Sequence, residues 1–374
     1  MICIDRDFPG GNILVESIGD DAVILHPDMR DTEGGWFYWA FRLRGAAGRT
    51  LDVRFAPNTP IGMMGPAISA DGGVTWRWGN ESFTNDSFKL TVPADEDELL
   101  VAFAPLYTQS HLDRFLAARA SVGGWQRHVL CRTRKGRDVE WLALGAPATT
   151  AAHRVVFTAR HHCCEMIANY AMEGIIDGVL ADDATGDWLR RQVAFCFIPF
   201  ADKDGVEDGD QGKNRRPRDH NRDYIGESMH VETAAIREFL PRWGGPNGVT
   251  AAIDLHCPWI RGHYESMIYQ VGREDPGVWG EQQRFGALLE KTSWPGSLPY
   301  ETADDLPFGQ AWNKATNYSG GMSFSRWSAS LPGMRLPTSF EISYSLVKNV
   351  PVTTDGARAF GRRVAQALAA YLSS

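Results

Sequence analysis

RVVFTARHHCCE, residues 154–165, decides the fold of this chain. Its first half, RVVFTA, is rich in the β-branched and aromatic residues of a buried strand. Its second half packs two histidines, two cysteines and a glutamate into the positions where that strand runs out. The continuation MIANYAMEGIIDGVL reads as helix. A buried strand passing into a helix is the repeating unit of α/β domains.

The same alternation continues downstream. VAFCFIPF (193–200), TAAIDLH (250–256) and SFEISYS (339–345) read as strands; GESMHVETAAIREFL (226–240) and DGARAFGRRVAQALAAYL (355–372) read as helices. Between them, residues 201–223 form a long, charged stretch poor in apolar residues, expected to be a loop that is either functional or disordered. Upstream the pattern is different. WFYWAFRLRG (36–45), TLDVRF (50–55) and ELLVAFAP (98–105) are short strand-like runs separated by Gly, Asn, Asp and Pro clusters, which suggests a β-sandwich. SHLDRFLAARA (110–120) then predicts a short helix capped by Ser110. The expected division is a β-sandwich domain over 1–122 and an α/β catalytic domain over 123–374. WFYWAF reads as a buried strand, so the thirteen tryptophans are assigned to packing rather than to sugar stacking.

Bulk composition removes several classes. The chain has 374 residues, 43% hydrophobic and 22% charged, with a formal net charge of -8. That charge argues against a general nucleic-acid binder, which needs a basic surface. No apolar run approaches a membrane span, and the N-terminal residues do not read as a signal peptide. Six cysteines, two of them adjacent, do not form a disulfide framework, so a cytoplasmic setting is expected.

Three features lie where predicted strands end: the HHCCE turn, His256 and Glu341. Ligands collect at the carboxyl ends of strands in open α/β sheets. With a helix starting near His161, either His161 or His162 shares a face with Glu165. One imidazole, one carboxylate and His256 would then make a His2Glu set, the donor set of catalytic zinc with one position left open. Thiolates at Cys163 or Cys164 are the competing ligands, but they lack the paired spacing of structural zinc sites, and packing is their expected role. His230 and His263 are rival third ligands that do not sit at strand ends.

These residues resemble the M14 zinc carboxypeptidases, in particular the cytosolic carboxypeptidase branch. The resemblance is carried by HCCE (162–165), DKDGV (202–206), GKNR (212–215), DHNRDY (219–224), DLHCP (254–258) and SFEIS (339–343), in the family's order and approximate spacing. FPGGN, WFYWAFRLRG, ISADGGVTWRWGN and FAPLYTQSHLDRFL resemble the β-domain that precedes the catalytic domain in that branch. The resemblance implies an N-terminal antiparallel β-sandwich followed by an α/β/α domain with a mixed sheet, and one zinc ion per chain. It implies His162, Glu165 and His256 as zinc ligands and Glu341 as general base. It implies Asn221 and Arg222 as the grip on a terminal carboxylate, and Arg215 as the group polarising the scissile carbonyl, with Arg216 and Arg218 as neighbours able to substitute. Tyr318 matches a tyrosine that closes over substrate. Arg326 falls in the region that builds the side-chain pocket, where a cation would favour acidic C-terminal residues. Cys164 stands where pancreatic-type members carry an arginine, and DKDGV replaces NPDGV.

The implied activity is hydrolysis of the C-terminal peptide bond of a peptide or protein. The other readings considered are a zinc deacylase of N-acyl amino acids, of the aspartoacylase type, and a silent binding protein keeping the fold. Nothing in the sequence sets the oligomeric state.

Overall fold

The computed structural model describes residues 1–55, 57–79 and 82–374. Asn80, the end of the ISADGGVTWRWGN stretch, lies outside them. The N-terminal part carries nine strands: β1 (Cys3–Asp5), β2 (Leu14–Ile18), β3 (Ala22–His26), β4 (Ala40–Arg44), β5 (Thr50–Arg54), β6 (Ala67–Ser69), β7 (Arg77–Trp78), β8 (Ser87–Thr91) and β9 (Glu98–Ala102). They form one sheet of order β1-β4-β9-β6-β7 and another of order β2-β3-β5-β8. Pairing is antiparallel except between β3 and β5, which run parallel. Trp39 is fully buried against Phe55 and Phe88, with ring centroids 4.8 and 5.9 Å away. Packing therefore uses the central aromatics of WFYWAF, although Trp36 at its start stays half-buried.

Helix α1 (Gln109–Ala117) begins one residue before the expected Ser110 and is capped by Thr108. The backbone N–H of Thr108 donates to His111 Nδ1 at 3.1 Å, a local bond that fixes the start earlier than a serine signal suggests.

The second sheet system is built from β10 (Trp125–Arg132), β11 (Asp138–Gly145), β12 (His153–Ala159), β13 (Val193–Ile198), β14 (Ala251–His256), β15 (Ile268–Gln270) and β16 (Leu336–Ile342), in the order β10-β11-β13-β12-β14-β16-β15. The four middle strands are parallel, and the outer pairings are antiparallel. Every residue of β13 and β14 is buried, which is why these strands read as unbroken apolar runs. Helices α2 (Ile167–Leu180) and α3 (Ala184–Gln192) connect β12 to β13. They are followed by α4 (Lys203–Asp208), α5 (Val231–Gly244), α6 (Pro276–Lys291), α7 (Phe324–Ser328) and α8 (Thr354–Leu372). Twelve of the fourteen residues of α2 are buried, because α8 covers the face turned away from the sheet. A Cβ on Gly361 of α8 would come within 2.0 Å of the Ala171 carbonyl, so the two backbones approach as closely as glycine permits.

Residues 201–223 are not a free loop. They hold α4 and a 3-10 turn at His220–Arg222, and the N-terminal part clamps them. Asn12 donates to the Gly209 carbonyl at 2.7 Å, and the carboxylate of Asp31 accepts from the backbone N–H of Gln211 at 3.0 Å and of Gly212 at 2.9 Å. The Gln211 amide bridges the N–H and C=O of Tyr38, each at 2.8 Å. These bonds give a polar, apolar-poor stretch the order its own side chains cannot supply. No helix among the described residues is long and apolar enough to cross a membrane.

Candidate metal centre and substrate cleft

Strand β12 ends at Ala159, and the chain turns sharply at Arg160, whose φ of 63° lies in the left-handed region. The turn is held from inside. The buried Arg160 guanidinium donates to the Cys163 carbonyl at 2.7 Å, the Tyr107 carbonyl at 2.8 Å and the Asn169 side chain at 2.9 Å. The helix expected near His161 starts only at Ile167. His162 and Glu165 meet across a tight turn instead, closed by a 3.1 Å bond from the Glu165 N–H to the His162 carbonyl. Gly212, with φ of +76°, lies against this turn. A Cβ there would sit 2.5 Å from the Cys163 nitrogen, so the clamped segment 201–223 packs directly on the ligand turn.

The turn and the ends of β14 and β16 converge. His162 Nδ1 lies 2.8 Å from Glu165 Oε1, and His256 Nδ1 lies 2.7 Å from Glu165 Oε2. Their donor atoms all fall within 4.8 Å of one another. The remote nitrogens are held by carboxylates: His162 Nε2 is 3.0 Å from Asp219, and His256 Nε2 is 2.6 Å from Asp254. Carboxylates behind ligating histidines fix ring orientation and tautomer, which is the outer arrangement of a metal site. Two imidazoles and a carboxylate with this support fit a divalent ion. His161, Asp254 and His256 also lie close enough to form a set. However, His161 is fully buried, with one nitrogen on Asp254 at 2.8 Å and the other on the Tyr224 hydroxyl at 2.7 Å, leaving it no free donor atom. His220, His230 and Glu232 form a third group, yet the two rings stack 3.6 Å apart and 18° from parallel. Their in-plane lone pairs cannot aim at one point. His263 is exposed.

Glu341 stands directly across the β14–β16 ladder from His256. Its Oε2 is buried and has no hydrogen-bond partner. Burial pushes this carboxyl up to about 7; His256 opposes the rise and Glu165 adds to it. For Glu165 burial also acts upward, but Lys213, His162 and His256 outweigh it and hold the group well below the usual carboxylate range. The two neighbouring acids are thus driven apart, one kept ionised and the other poised to exchange a proton near neutrality. Lys213 Nζ lies 2.8 Å from Glu165 Oε1 and 2.9 Å from the Cys257 carbonyl.

The structure does not bring Arg215 into the cleft. Its guanidinium is enclosed by Asp202 and Asp210, each at 2.9 Å, and Asp31 at 3.4 Å. Burial would raise Asp202, but Arg215 overrides it and holds the acid at about 2. The motif gives Arg215 its expected place along the chain, but these three acids hold it away from the cleft, and Lys213, two residues earlier, lines the cleft instead. Removing a buried cation strands its partners, so Arg215→Ala is expected to lower unfolding stability by about 3–5 kcal/mol in denaturant titration. Arg216 is exposed, and Arg218 pairs with Asp223 at 3.0 Å, so neither neighbour replaces it.

The other expected substrate residues do reach the cleft. Asn221 Nδ2 lies 3.1 Å from His256 Nε2, and its Oδ1 accepts from the Phe324 N–H at 2.9 Å. Arg222 donates only to the carbonyls of Asn221 (2.9 Å) and Asn317 (3.2 Å), with no carboxylate partner among the described residues. Tyr318 donates to Asn313 at 2.8 Å, and the Arg326 guanidinium lies 3.9 Å from its ring. Arg326 also pairs with Glu274 at 3.0 Å. An inner pocket behind the cluster is lined by Asn221, Arg222, Tyr318, Arg326, Glu341 and Arg273. Sequence reading missed Arg273, since an isolated arginine after a three-residue strand carries no signal. Lys213 and Asp219 could have been found, because both stand inside matched motifs. Cys163 and Cys164 are buried packing residues: the Cys163 thiol meets the Asp210 carbonyl at 3.0 Å, and the Cys164 sulfur lies 3.6 Å from the Tyr344 hydroxyl.

This fold is that of the metallo-carboxypeptidases. A metallo-carboxypeptidase from Burkholderia cenocepacia superposes with a TM-score of 0.81 at 21% identity, over 100% of this chain and 99% of that one. A metallo-carboxypeptidase from Pseudomonas aeruginosa in complex with (2-guanidinoethylmercapto)succinic acid gives 0.78 at 20% identity, over 99% of both. Among curated relatives, cytosolic carboxypeptidase 2 of Danio rerio is 32% identical over 147 residues, 37% of this chain and 20% of the relative. Cytosolic carboxypeptidase 3 of Mus musculus is 26% identical over 229 residues, 56% of this chain and 22% of the relative. The matches thus span about a fifth of these relatives' length. No protein-family model matches the chain. The resemblance to the cytosolic carboxypeptidase branch read from the motifs is borne out by these relatives.

Proposed function

We propose that the protein is a zinc carboxypeptidase that releases single acidic residues from peptide C-termini. The observation that carries this reading is the placement of an unpartnered buried acid, Glu341, beside the His162–Glu165–His256 cluster, at the mouth of an arginine-lined pocket. His162, Glu165 and His256 would hold the ion, which when bound lowers the pKa of water and polarises a carbonyl. Glu341 accepts the proton of the attacking water and delivers it to the departing amine. Arg222, free of carboxylates, takes the terminal carboxylate through paired N–H donors, and Asn221 beside it fixes the chain end. Together they set the scissile bond over the cluster.

The acidic preference rests on Arg273 and Arg326. Burial, with Arg326 adding to it, lowers Arg273 to about 10, and its Nε has no partner. A shielded guanidinium with an open N–H favours an anionic side chain. Asp or Glu at the C-terminus supplies it.

The test is a panel of peptides varied at the last residue, incubated with zinc-loaded protein and with chelator. Release of free Glu or Asp, abolished by chelator and restored by zinc, is expected. Absence of release from every peptide by zinc-loaded protein, or hydrolysis of N-acyl amino acids instead, overturns the reading. Arg273→Ala is expected to reduce the ratio of Glu to Ala release by about 10–100-fold, the loss of one charge-assisted contact; an unchanged ratio places the selectivity elsewhere.

A further inference from the structure

Resting on that reading, we infer that Trp36, Trp259 and Trp312 form a binding wall for the residue just before the scissile bond and select an aliphatic or aromatic side chain there. A second, outer cleft of about 310 Å³ is lined by these indoles and Pro258. It shares His162, Arg222, Trp312 and Glu341 with the inner pocket, so the two meet at the cluster. A peptide whose last residue fills the inner pocket must leave through the outer one.

The wall is built in advance. Trp259 is 40% exposed. It is nevertheless propped by Phe37, 4.9 Å away at 89°, and by Trp36, 5.1 Å away at 61°. Trp36 is pinned by a 2.8 Å bond from its Nε1 to the Glu33 carbonyl, and Trp312 by a 3.2 Å bond to the Tyr269 hydroxyl. Rigid aromatic surface binds apolar side chains with little further ordering cost. The charges nearby point the same way. Glu265 and Asp219 line this cleft; of its cations, Lys213 is engaged by Glu165, and Arg222 is taken by the terminal carboxylate in the proposed binding mode. An acidic side chain at this position would face carboxylates, whereas the inner pocket faces it with guanidinium groups. The preferred tail is thus an apolar residue followed by an acidic one, rather than a run of acids. Trp36 and Phe37 come from the N-terminal part, which gives that part a role in substrate choice.

The experiment fixes Glu at the C-terminus and varies the residue before it among Phe, Leu, Ala and Glu. With zinc-loaded wild type, kcat/KM for Phe or Leu is expected to exceed that for Glu by about 10–100-fold, the discrimination an apolar pocket delivers. In Trp259→Ala the ratio of Phe to Ala is expected to fall to near one. An equal rate for Phe and Glu, or a preference untouched by Trp259→Ala, overturns the inference. Calorimetric binding of the same peptides to zinc-loaded Glu341→Gln protein separates the two readings. Peptide binding without a preference at this position sinks only the wall, whereas no binding of any peptide sinks both.

Discussion

Glu341→Gln is expected to slow peptide hydrolysis by about 10²–10⁴-fold, the contribution of a positioned general base, with zinc content unchanged. Glutamine keeps the volume and the position on β16 but cannot accept a proton. Metal retention follows from the geometry. Glu341 makes no hydrogen bond through Oε2, while His162, Glu165 and His256 are bound to one another and to Asp219 and Asp254 without it. Paired measurements of turnover and metal stoichiometry separate the outcomes. A near-normal rate would remove Glu341 from the chemistry, and loss of metal would make it a ligand instead.

Arg222→Ala is expected to lower kcat/KM by about 10²–10⁴-fold, the loss of two charge-assisted hydrogen bonds at about 1.5–3 kcal/mol each. Much of the loss should fall on KM, because the carboxylate is gripped in the ground state as well as the transition state. Arg222→Lys is expected to recover only part of it, since an ammonium cannot present two parallel donors. The side chain hydrogen-bonds to backbone carbonyls and lies 5.4 Å from the Tyr318 ring, so its removal strands no buried carboxylate, and zinc content and folding should be retained. A peptide ending in an amide instead of a carboxylate should be a poor substrate for wild type and should show little further loss in the variant. Equal loss of activity on both peptides would assign Arg222 to the architecture rather than to the substrate.

The parts of the site written on strand ends were legible. His256 and Glu341 close β14 and β16, and pairing in register brings them together whatever the intervening loops do. The HCCE turn was legible in its spacing but not in its conformation: a helix was expected, whereas Arg160 in a left-handed conformation holds a turn that delays the helix by six residues. Arg215 shows the opposite limit. Its motif suggests the chain position, but the direction of its side chain depends on Asp31, some 180 residues upstream, as well as on Asp202 and Asp210, and no local pattern encodes how the three close around it. The segment 201–223 carries candidate site residues as expected, but its ordered conformation was not legible, since that order is lent by Asn12, Asp31 and Tyr38. Arg273 and the exposed face of Trp259 become functional candidates only once distant strands and turns are brought together.

The bonds from Asn12, Asp31 and Tyr38 also limit modularity. The α/β half is not a cassette that could be transplanted onto another scaffold by cutting near residue 122. A graft would have to carry along these three anchors, or Arg222, the proposed grip on a peptide's end, would hang on an untethered strap. Interchange of the two halves among distant proteins is therefore possible only where both sides of this clasp travel as one unit.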